Sequence, residues 1–265
     1  MIQNISLLLL AALAGTCLLV LLIARFQAEK IIFPAPPPSY VDDDSIRKLQ
    51  TDAGDTISVL YLPAETPTAL LLYNHGNGED LGHIRHILEA FQEAGISVIS
   101  YDYPGYGTST GRPTERGCYA AADAVYRHAT GLLDYPADAI VLYGRSVGSG
   151  PACWLAEKYP VAGLILDSAF TSTFRVITRI KILPWDKFDN LARLPNIPCP
   201  VLILHGKRDW IIPFAHAEHN ARIVGPRANT LWVDQAGHNN LIDAAGETYW
   251  TTTLNFIRNP KDHAP

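Results

Sequence analysis

Short apolar segments alternate with longer amphipathic segments along most of this chain. Six apolar runs have the length and composition of buried strands, and the stretches between them repeat apolar residues at helical spacing. Before these runs, Ser45–Gln50 and Thr56–Leu62 flank an Ala-Gly-Asp turn and predict an antiparallel hairpin. The predicted strands are Ala69–Tyr73, Ile96–Tyr101, Ala139–Tyr143, Gly163–Leu166, Val201–Leu204 and Thr230–Val233, and the predicted helices are Glu79–Glu93, Thr114–Ala129, Val147–Lys158, Ala215–Val224 and Leu241–Ile257.

Repeated strand–helix units of this kind predict an α/β fold. Right-handed crossovers would build a mostly parallel sheet of about eight strands with helices on both faces. The carboxyl ends of such strands lie at one edge of the sheet, and active sites in this class of fold are located at that edge. Because no internal repeat or second break in composition follows, we expect one catalytic domain over residues 45–258 and a tail over residues 259–265.

The N-terminal segment has a different pattern. The first 24 residues carry no charged side chain, and Ile5–Ala24 is an apolar run of 20 residues. At 1.5 Å per residue, such a helix can cross a hydrocarbon core of about 30 Å. We therefore predict a single-pass transmembrane helix that anchors the chain, within residues 1–30.

Three other interpretations of this segment are weaker. A cleaved secretory signal should have a basic start and a shorter apolar core, although Ala12-Leu13-Ala14 resembles a cleavage site. A lipoprotein signal ending at Cys17 would have Thr16 as an unsuitable neighbour, and the apolar run continues beyond the cysteine. A buried core helix is seldom so uniformly apolar.

Two basic residues and four prolines follow the apolar run. Arg25 and Lys30 lie after it and no basic residue precedes it, so the positive-inside rule predicts a catalytic domain on the cytoplasmic side of the membrane. Residues 31–44 contain four prolines, which enforce extended backbone and predict a stiff connector. The alternative for this segment is a strand that leads directly into the sheet.

The composition of the chain excludes several classes of protein and of binding partner. Hydrophobic residues make up 48% of the chain and charged residues 18%, which excludes a disordered or low-complexity protein. A net charge of -5 and the lack of a long basic run argue against nucleic acid as a partner. The four cysteines are scattered without a C-x-x-C motif, so we expect neither a disulfide framework nor a zinc site.

The clearest chemical signal is the sequence G-R-S-V-G over residues 144–148. It lies directly after a predicted strand and before a predicted helix. A G-x-S-x-G motif at such a junction is typical of a nucleophile elbow, a tight turn that exposes the serine hydroxyl above the sheet. Gly144 and Gly148 suit this turn because strand and helix approach too closely for a Cβ atom. The sequence therefore predicts Ser146 as a nucleophile, with an ordinary Ser-Gly turn as the alternative.

A serine nucleophile needs a general base, and the base needs an acid that orients it. Among nine histidines, His238 follows the last predicted strand on a loop, which is the place expected in the order Ser, Asp, His. Asp209 follows the preceding strand, whereas the rival Asp167 ends the strand before that one. Asp234 lies too close to His238 along the chain to be favoured. The predicted triad is Ser146, Asp209 and His238.

An oxyanion hole should lie beside this triad. Backbone N–H groups supply it, one from the residue after the nucleophile and one from the loop after an earlier strand. We expect the N–H groups of Val147 and Asn77, the latter in the sequence N-H-G-N-G over residues 74–78. A phosphate-binding loop is the alternative, but the following Lys-Ser/Thr of a P-loop is missing.

Together these motifs resemble the α/β-hydrolases, and within them the membrane-anchored serine hydrolases related to eukaryotic protein depalmitoylases. The resemblance extends from Phe33 to Leu241 and rests on FPAPPPSY, HGNGEDLG, SYDYPGYGTSTGRPTE, YGRSVGSGP, PVLILHGKRDWIIPFAH and LWVDQAGHNNL. It implies the α/β-hydrolase fold and hydrolysis through an acyl-enzyme, with no metal or organic cofactor. This chain lacks the cysteine-rich N-terminal segment that those enzymes use for lipid attachment, so we expect its helix to anchor it.

Residues 168–199 separate the Asp167 strand from the Asp209 strand and predict a short apolar cap. Such a cap suits acyl chains, although simple packing on the sheet would also explain many of its apolar residues. Within it, Arg175, Arg179 and Lys181 alternate with apolar side chains, which fits either a membrane-facing surface or a solvated helix.

Three function classes follow from these observations. We expect a serine hydrolase that cleaves carboxylic esters or thioesters of a small-molecule or lipid-acyl substrate. A serine peptidase or amidase is the alternative, because the same triad serves both reactions. A binding protein without catalysis is the least favoured class, because it would have no reason to keep all three triad residues.

Overall fold

The computed structural model describes residues 9–10, 12, 15–16, 19–22, 27–67 and 69–263. The chain divides into two compact units, Met1–Pro34 and Ala35–Pro265. The first unit includes the short helix α1 (Ala28–Ile32). Most of the predicted apolar span, residues 5–24, lies outside the described residues. Within the described ones, no helix combines the length and the apolar character needed to cross a membrane.

The second unit contains one eight-stranded sheet with the strand order β1-β2-β4-β3-β5-β6-β7-β8. Its strands are β1 (Ile46–Gln50), β2 (Thr56–Leu62), β3 (Leu70–Asn74), β4 (Ser97–Tyr101), β5 (Ile140–Arg145), β6 (Gly163–Asp167), β7 (Val201–Gly206) and β8 (Ala228–Val233). Its α-helices are α2 (Leu81–Glu93), α3 (Glu115–Gly131), α4 (Ser149–Lys158), α5 (Thr173–Thr178), α6 (Asn190–Arg193), α7 (Ala215–Val224), α8 (Leu241–Ala245) and α9 (Glu247–Arg258).

The sheet confirms the predicted mostly parallel arrangement. Strand β2 pairs antiparallel with β1 and with β4, and every other neighbouring pair is parallel. The predicted hairpin is the β1–β2 pair, in register from Ile46 opposite Leu60 to Gln50 opposite Thr56. Because strands β3 to β7 are parallel, their carboxyl ends lie at the same edge of the sheet.

The central strands are buried on both faces, as their continuous apolar sequences predict. Every residue of β3, β4, β6 and β7 is buried. Helix α2 shows how the faces are covered: it buries Leu81, Ile84, Leu88 and Phe91, which recur at helical spacing. The Asp80 side chain begins this helix by accepting a hydrogen bond from the His83 N–H.

One predicted helix is wrong in its extent. The stretch Leu241–Ile257 forms two helices, α8 and α9, which meet at Gly246. Gly246 has φ 54° and ψ -130°, a backbone conformation that is accessible essentially to glycine alone. The apolar periodicity continues across this break, and for that reason the pattern alone predicts one helix.

The connector enters the domain without forming a strand. Residues 31–32 of the predicted connector belong to α1, and residues 33–44 form neither a helix nor a strand, so the alternative of a strand is wrong. Ala35, with φ 39°, departs from extended backbone. Ser39 donates hydrogen bonds from its N–H and its hydroxyl to the Asp80 carboxylate. The Tyr40 hydroxyl donates to Asp102. These contacts attach the end of the connector to the loops after β3 and β4.

The segment 168–199, which the sequence predicts as a short cap, contains α5 and α6. Phe170 and Phe188 are buried in it, as packing on the sheet would require. Ile177, Ile180 and Ile182, in contrast, are 79%, 67% and 63% exposed. The alternative of a solvated helix, whose apolar side chains pack on the sheet, therefore does not account for these three isoleucines.

Candidate active site

The G-R-S-V-G segment forms a strained turn between β5 and α4. Ser146 has φ 50°, in the left-handed region that favours glycine, and it begins a single 3-10 turn over Ser146–Gly148. A Cβ atom at Gly144 would lie 2.6 Å from the Ser149 Cα atom, and one at Gly148 would lie 2.6 Å from the His75 carbonyl oxygen. Both glycines are thus required by close approach of backbone, as the sequence predicts for a nucleophile elbow.

Ser146, His238 and Asp209 are connected in that order by hydrogen bonds between their side chains. The Ser146 Oγ atom is 3.1 Å from His238 Nε2, and His238 Nδ1 is 2.7 Å from Asp209 Oδ2. If Nδ1 donates its proton to the Asp209 carboxylate, Nε2 has a lone pair for the serine hydroxyl. The structure brings the three predicted residues together, and the catalytic role of each remains a prediction.

Backbone groups hold the Asp209 carboxylate in position. Its Oδ1 atom accepts hydrogen bonds from the N–H groups of Ile211 and Ile212, at 2.9 Å and 2.8 Å. His205 Nε2 lies 3.4 Å from Asp209 Oδ2 and 2.8 Å from the Ile212 carbonyl oxygen. Burial lowers the pKa of His205, so this second imidazole is a neutral support. Asp209 Oδ2 is thereby directed at His238.

The rival carboxylate, Asp167, has other partners. It accepts hydrogen bonds from the Tyr143 hydroxyl at 2.7 Å and the Ser168 hydroxyl at 2.8 Å. The Tyr143 hydroxyl is also 2.7 Å from the Tyr249 hydroxyl. In the part of the chain that the structure describes, no hydrogen bond joins Asp167 to His238. Asp167 is therefore part of a buried phenol–carboxylate cluster and does not orient the imidazole.

The loop that carries Asn77 lies directly against the elbow. The carbonyl oxygens of Asn74 and His75 occupy the space that a Cβ at Gly148 would need. The Tyr103 hydroxyl donates to the His75 carbonyl at 2.7 Å, and the Tyr106 hydroxyl donates to Asn77 Oδ1 at 2.6 Å. The sequence Y-P-G-Y-G over residues 103–107, which contains both tyrosines, predicts a structural turn near the site and no catalytic residue. Their hydroxyls in fact hold the loop of the predicted oxyanion donor, beside Val147 at the start of the helical segment.

A buried acid–imidazole pair lies behind this loop. His75 Nε2 is 3.5 Å from Asp102 Oδ1, and both side chains are fully buried. Burial lowers the pKa of His75 to about 4 and raises the pKa of Asp102 to about 7. The His75 Nδ1–H donates to the Gly76 carbonyl at 2.8 Å, which leaves this histidine a role in loop geometry and none as the base.

A cavity of about 370 Å³ adjoins the elbow on the side of α2 and α9. Its walls include Arg145, which precedes Ser146, and Asn239, which follows His238. Arg145 forms an ion pair with Glu79 across one wall. Within the described residues, no cluster of three or more His, Cys, Asp or Glu side chains is arranged to hold a metal ion.

Comparison with known proteins assigns the family. The family profile described as alpha/beta hydrolase fold matches residues 69–182. The human alpha/beta hydrolase domain-containing protein 17B is 35% identical over 201 residues, which cover 72% of this chain and 68% of that protein. This chain belongs to the α/β-hydrolase-domain proteins. Family membership supports hydrolase activity.

One further relative and two solved structures are also similar to this chain. The Caenorhabditis elegans protein aho-3 is 36% identical over 174 residues, which cover 64% of this chain but only about half, 52%, of that relative. The Pyrococcus furiosus esterase Pf2001 has a TM-score of 0.69 at 17% identity, over 83% of this chain and 97% of that one. An esterase from Exiguobacterium antarcticum has a TM-score of 0.64 at 19% identity, over 80% and 98%.

Proposed function

We propose that this hydrolase is a serine hydrolase that cleaves carboxylic ester or thioester bonds of acyl substrates. The observation that carries the proposal is the continuous line from Ser146 Oγ through His238 to Asp209. A serine hydroxyl is a weak nucleophile at neutral pH, and an imidazole within hydrogen-bond distance makes it reactive. The strained elbow and the oriented carboxylate add the other two features that this chemistry needs.

In the acylation step, His238 Nε2 takes the hydroxyl proton as Ser146 Oγ attacks the acyl carbon. Asp209 holds the imidazole in the required tautomer and stabilises the imidazolium that forms. The tetrahedral intermediate then loses its leaving alkoxide or thiolate, which receives the proton from His238 Nε2. An acyl-serine ester remains, and the carbon–oxygen or carbon–sulfur bond of the substrate is broken.

Deacylation repeats these steps with water. His238 removes a proton from the water as its oxygen attacks the acyl-serine, and the proton returns to Ser146 Oγ when the carboxylic acid leaves. In both halves, the N–H groups of Val147 and Asn77 stabilise the oxyanion. Removing one such donor commonly costs about 2.7–4 kcal/mol of transition-state stabilisation. Tyr106 supports this role because it holds the Asn77 side chain.

The exposed cap supports an acyl substrate. Trp210, next to Asp209, is 81% exposed, and Ile177 and Ile182 of the cap are exposed as well. An exposed apolar side chain beside a triad residue favours a substrate with an apolar acyl portion. To find which bond is cleaved fastest, turnover should be compared for an oxygen ester, a thioester and an aminoacyl amide of matched acyl chain. A preference for the amide would favour the peptidase alternative.

Covalent labelling tests the nucleophile. A fluorophosphonate probe should label the full chain, and Ser146→Ala should abolish both labelling and ester turnover because the substitution removes the reacting hydroxyl. Ser45→Ala is the matched control, since its hydroxyl bonds to Asp43 and Arg85 rather than to His238. Labelling that persists in Ser146→Ala would disprove the assignment, and circular dichroism would verify that the variant is folded.

A further inference from the structure

A groove on the cap holds basic side chains that the proposed hydrolysis does not use. It has a volume of about 370 Å³ and lies between the segment after β6 and helix α7. Arg175, Arg179 and Lys181 line it together with the apolar Ile180 and Leu191. None of the described residues that line the groove is acidic. Its walls therefore combine three positive charges with apolar surface.

Two of these three cations have no ion-pair partner among the described residues. Arg179 and Lys181 form no ion pair with any residue that the structure describes. Arg175 forms two ion pairs, with Asp186 at 3.9 Å and with Asp189 at 3.7 Å, and neither is short enough for a hydrogen bond. Its Nη1 atom is buried and has no hydrogen-bond partner in the described part of the chain. A buried guanidinium N–H without an acceptor is unfavourable, so an oxyanion bound here would satisfy it.

The backbone brings the three cations to one place. Arg179 follows α5 in the left-handed conformation, with φ 65°, which is uncommon for a residue other than glycine. The Thr178 hydroxyl supports the turn: its oxygen is 2.7 Å from the Ile180 carbonyl oxygen and 3.0 Å from the Phe174 carbonyl oxygen, and the two share its single proton. Helix α5 ends at this point, and Arg179, Ile180 and Lys181 all line the groove.

We propose that this groove binds an anionic amphiphile. Its phosphate or carboxylate group would contact Arg175, Arg179 and Lys181, and its apolar portion would lie on Ile180 and Leu191. Guanidinium groups match such oxyanions in charge and geometry, and a lysine adds a compact positive charge. The site uses none of the triad residues, so it stands or falls independently of the proposed hydrolysis.

Calorimetric titration of the full chain in a neutral detergent tests the proposal with three probes: hexyl phosphate, inorganic phosphate and hexanol. Hexyl phosphate should bind saturably and more tightly than inorganic phosphate, and hexanol should not bind. The exposed pair Arg179→Gln/Lys181→Gln should weaken hexyl phosphate at least about tenfold, because two charge-assisted contacts are lost. Arg222→Gln, an exposed cation of α7 outside the groove, should leave binding unchanged.

Equal binding by the double variant, or equal binding of hexanol and hexyl phosphate, would overturn the proposal. The single variant Lys181→Gln gives a second reading should the double variant fail to fold. Flotation with phosphatidylcholine vesicles, with and without phosphatidylserine, tests a membrane surface as the other source of anionic groups. Vesicle binding that depends on Arg179 and Lys181, without hexyl phosphate binding, would overturn the groove in favour of a membrane contact.

Discussion

At the scale of single residues, the two carboxylates near the end of β6 and β7 differ in what they contact. Asp209 has one oxygen held by two backbone N–H groups and the other directed at His238. Asp167 has both oxygens occupied by hydroxyl donors from Tyr143 and Ser168. Only the first arrangement can orient an imidazole, so the two aspartates should respond differently to loss of charge.

We expect Asp209→Asn to lower kcat for ester hydrolysis by about 10³–10⁴-fold, because an amide favours the wrong imidazole tautomer. Asp167→Asn is the matched control: it leaves the His238 contact intact and should act mainly on stability. Steady-state kinetics on a soluble ester, together with thermal unfolding, measure both effects. Equal losses of kcat in the two variants would reopen the assignment of the acid.

At the scale of elements, the break between α8 and α9 depends on the backbone conformation of Gly246. A Cβ atom at Gly246 would meet no atom within 4 Å, so space is available there. The obstacle to a side chain is the backbone, at φ 54° and ψ -130°. Helices α8 and α9 follow the loop of His238 and pack Leu241, Tyr249 and Phe256 into the core, so this break positions the region after the base.

Gly246→Ala should therefore lower the free energy of unfolding by about 1–3 kcal/mol. Gly131→Ala is the control, because Gly131 ends α3 and also has nothing within 4 Å of a Cβ. Alanine in that helical position should be neutral or stabilising by up to about 1 kcal/mol. Chemical denaturation compares the two variants, and equal effects on stability would contradict a conformational origin of the break.

The contact of α7 with the segment after β6 should make stability depend on pH. His216 Nδ1 accepts a hydrogen bond from the Thr171 N–H at 3.2 Å. Burial, with a smaller contribution from the Arg179 cation, lowers the pKa of His216 from 6.5 to about 4. Between these values the unfolded chain binds a proton that the folded chain does not, so this contribution to stability is lost as pH falls from about 6.5 to about 4.

His216→Asn isolates this effect, since an amide oxygen can still accept from Thr171 but does not titrate. We expect the difference in unfolding free energy between the native chain and His216→Asn to shrink as pH falls from about 7.5 to about 5. His219→Asn, on the exposed side of α7, is the matched control. A difference that stays constant over this range would show that His216 is protonated equally in both states.

At the scale of the whole molecule, the elements of the site belong to one compact unit. The triad, the loop of Asn77 and the two tyrosines that hold it all lie within Ala35–Pro265. The connector residues Ser39 and Tyr40, which bond to Asp80 and Asp102, belong to this unit as well. The catalytic geometry is therefore contained in a continuous piece of the chain.

A chain that begins at Ala35 should fold cooperatively and keep kcat/KM on a soluble ester within about threefold of the full chain, because no triad contact is removed. Circular dichroism melting and ester kinetics test this. A chain that begins at Asp43 is the informative comparison, since it also loses the contacts of Ser39 and Tyr40 and should be less stable. Loss of turnover on truncation at Ala35 would show that residues 1–34 contribute to the site.

The sequence by itself determined the features that depend on residues close together along the chain. Apolar runs predict the strands because both faces of a parallel sheet are covered. The elbow is visible because a strand, two glycines, a serine and a helix are adjacent along the chain. The order Ser146, Asp209, His238 pointed to the residues that the structure brings together.

The tertiary structure decided what depends on separation along the chain. Ser146 and His238 are 92 positions apart, and their 3.1 Å contact follows from the strand order and from loop lengths that no local pattern contains. The same holds for the partners of Asp167 and for the tyrosine hydroxyls on the Asn77 loop. Hydrophobic periodicity reports which face of an element is buried, whereas a side-chain hydrogen bond forms only where packing brings donor and acceptor within about 3 Å.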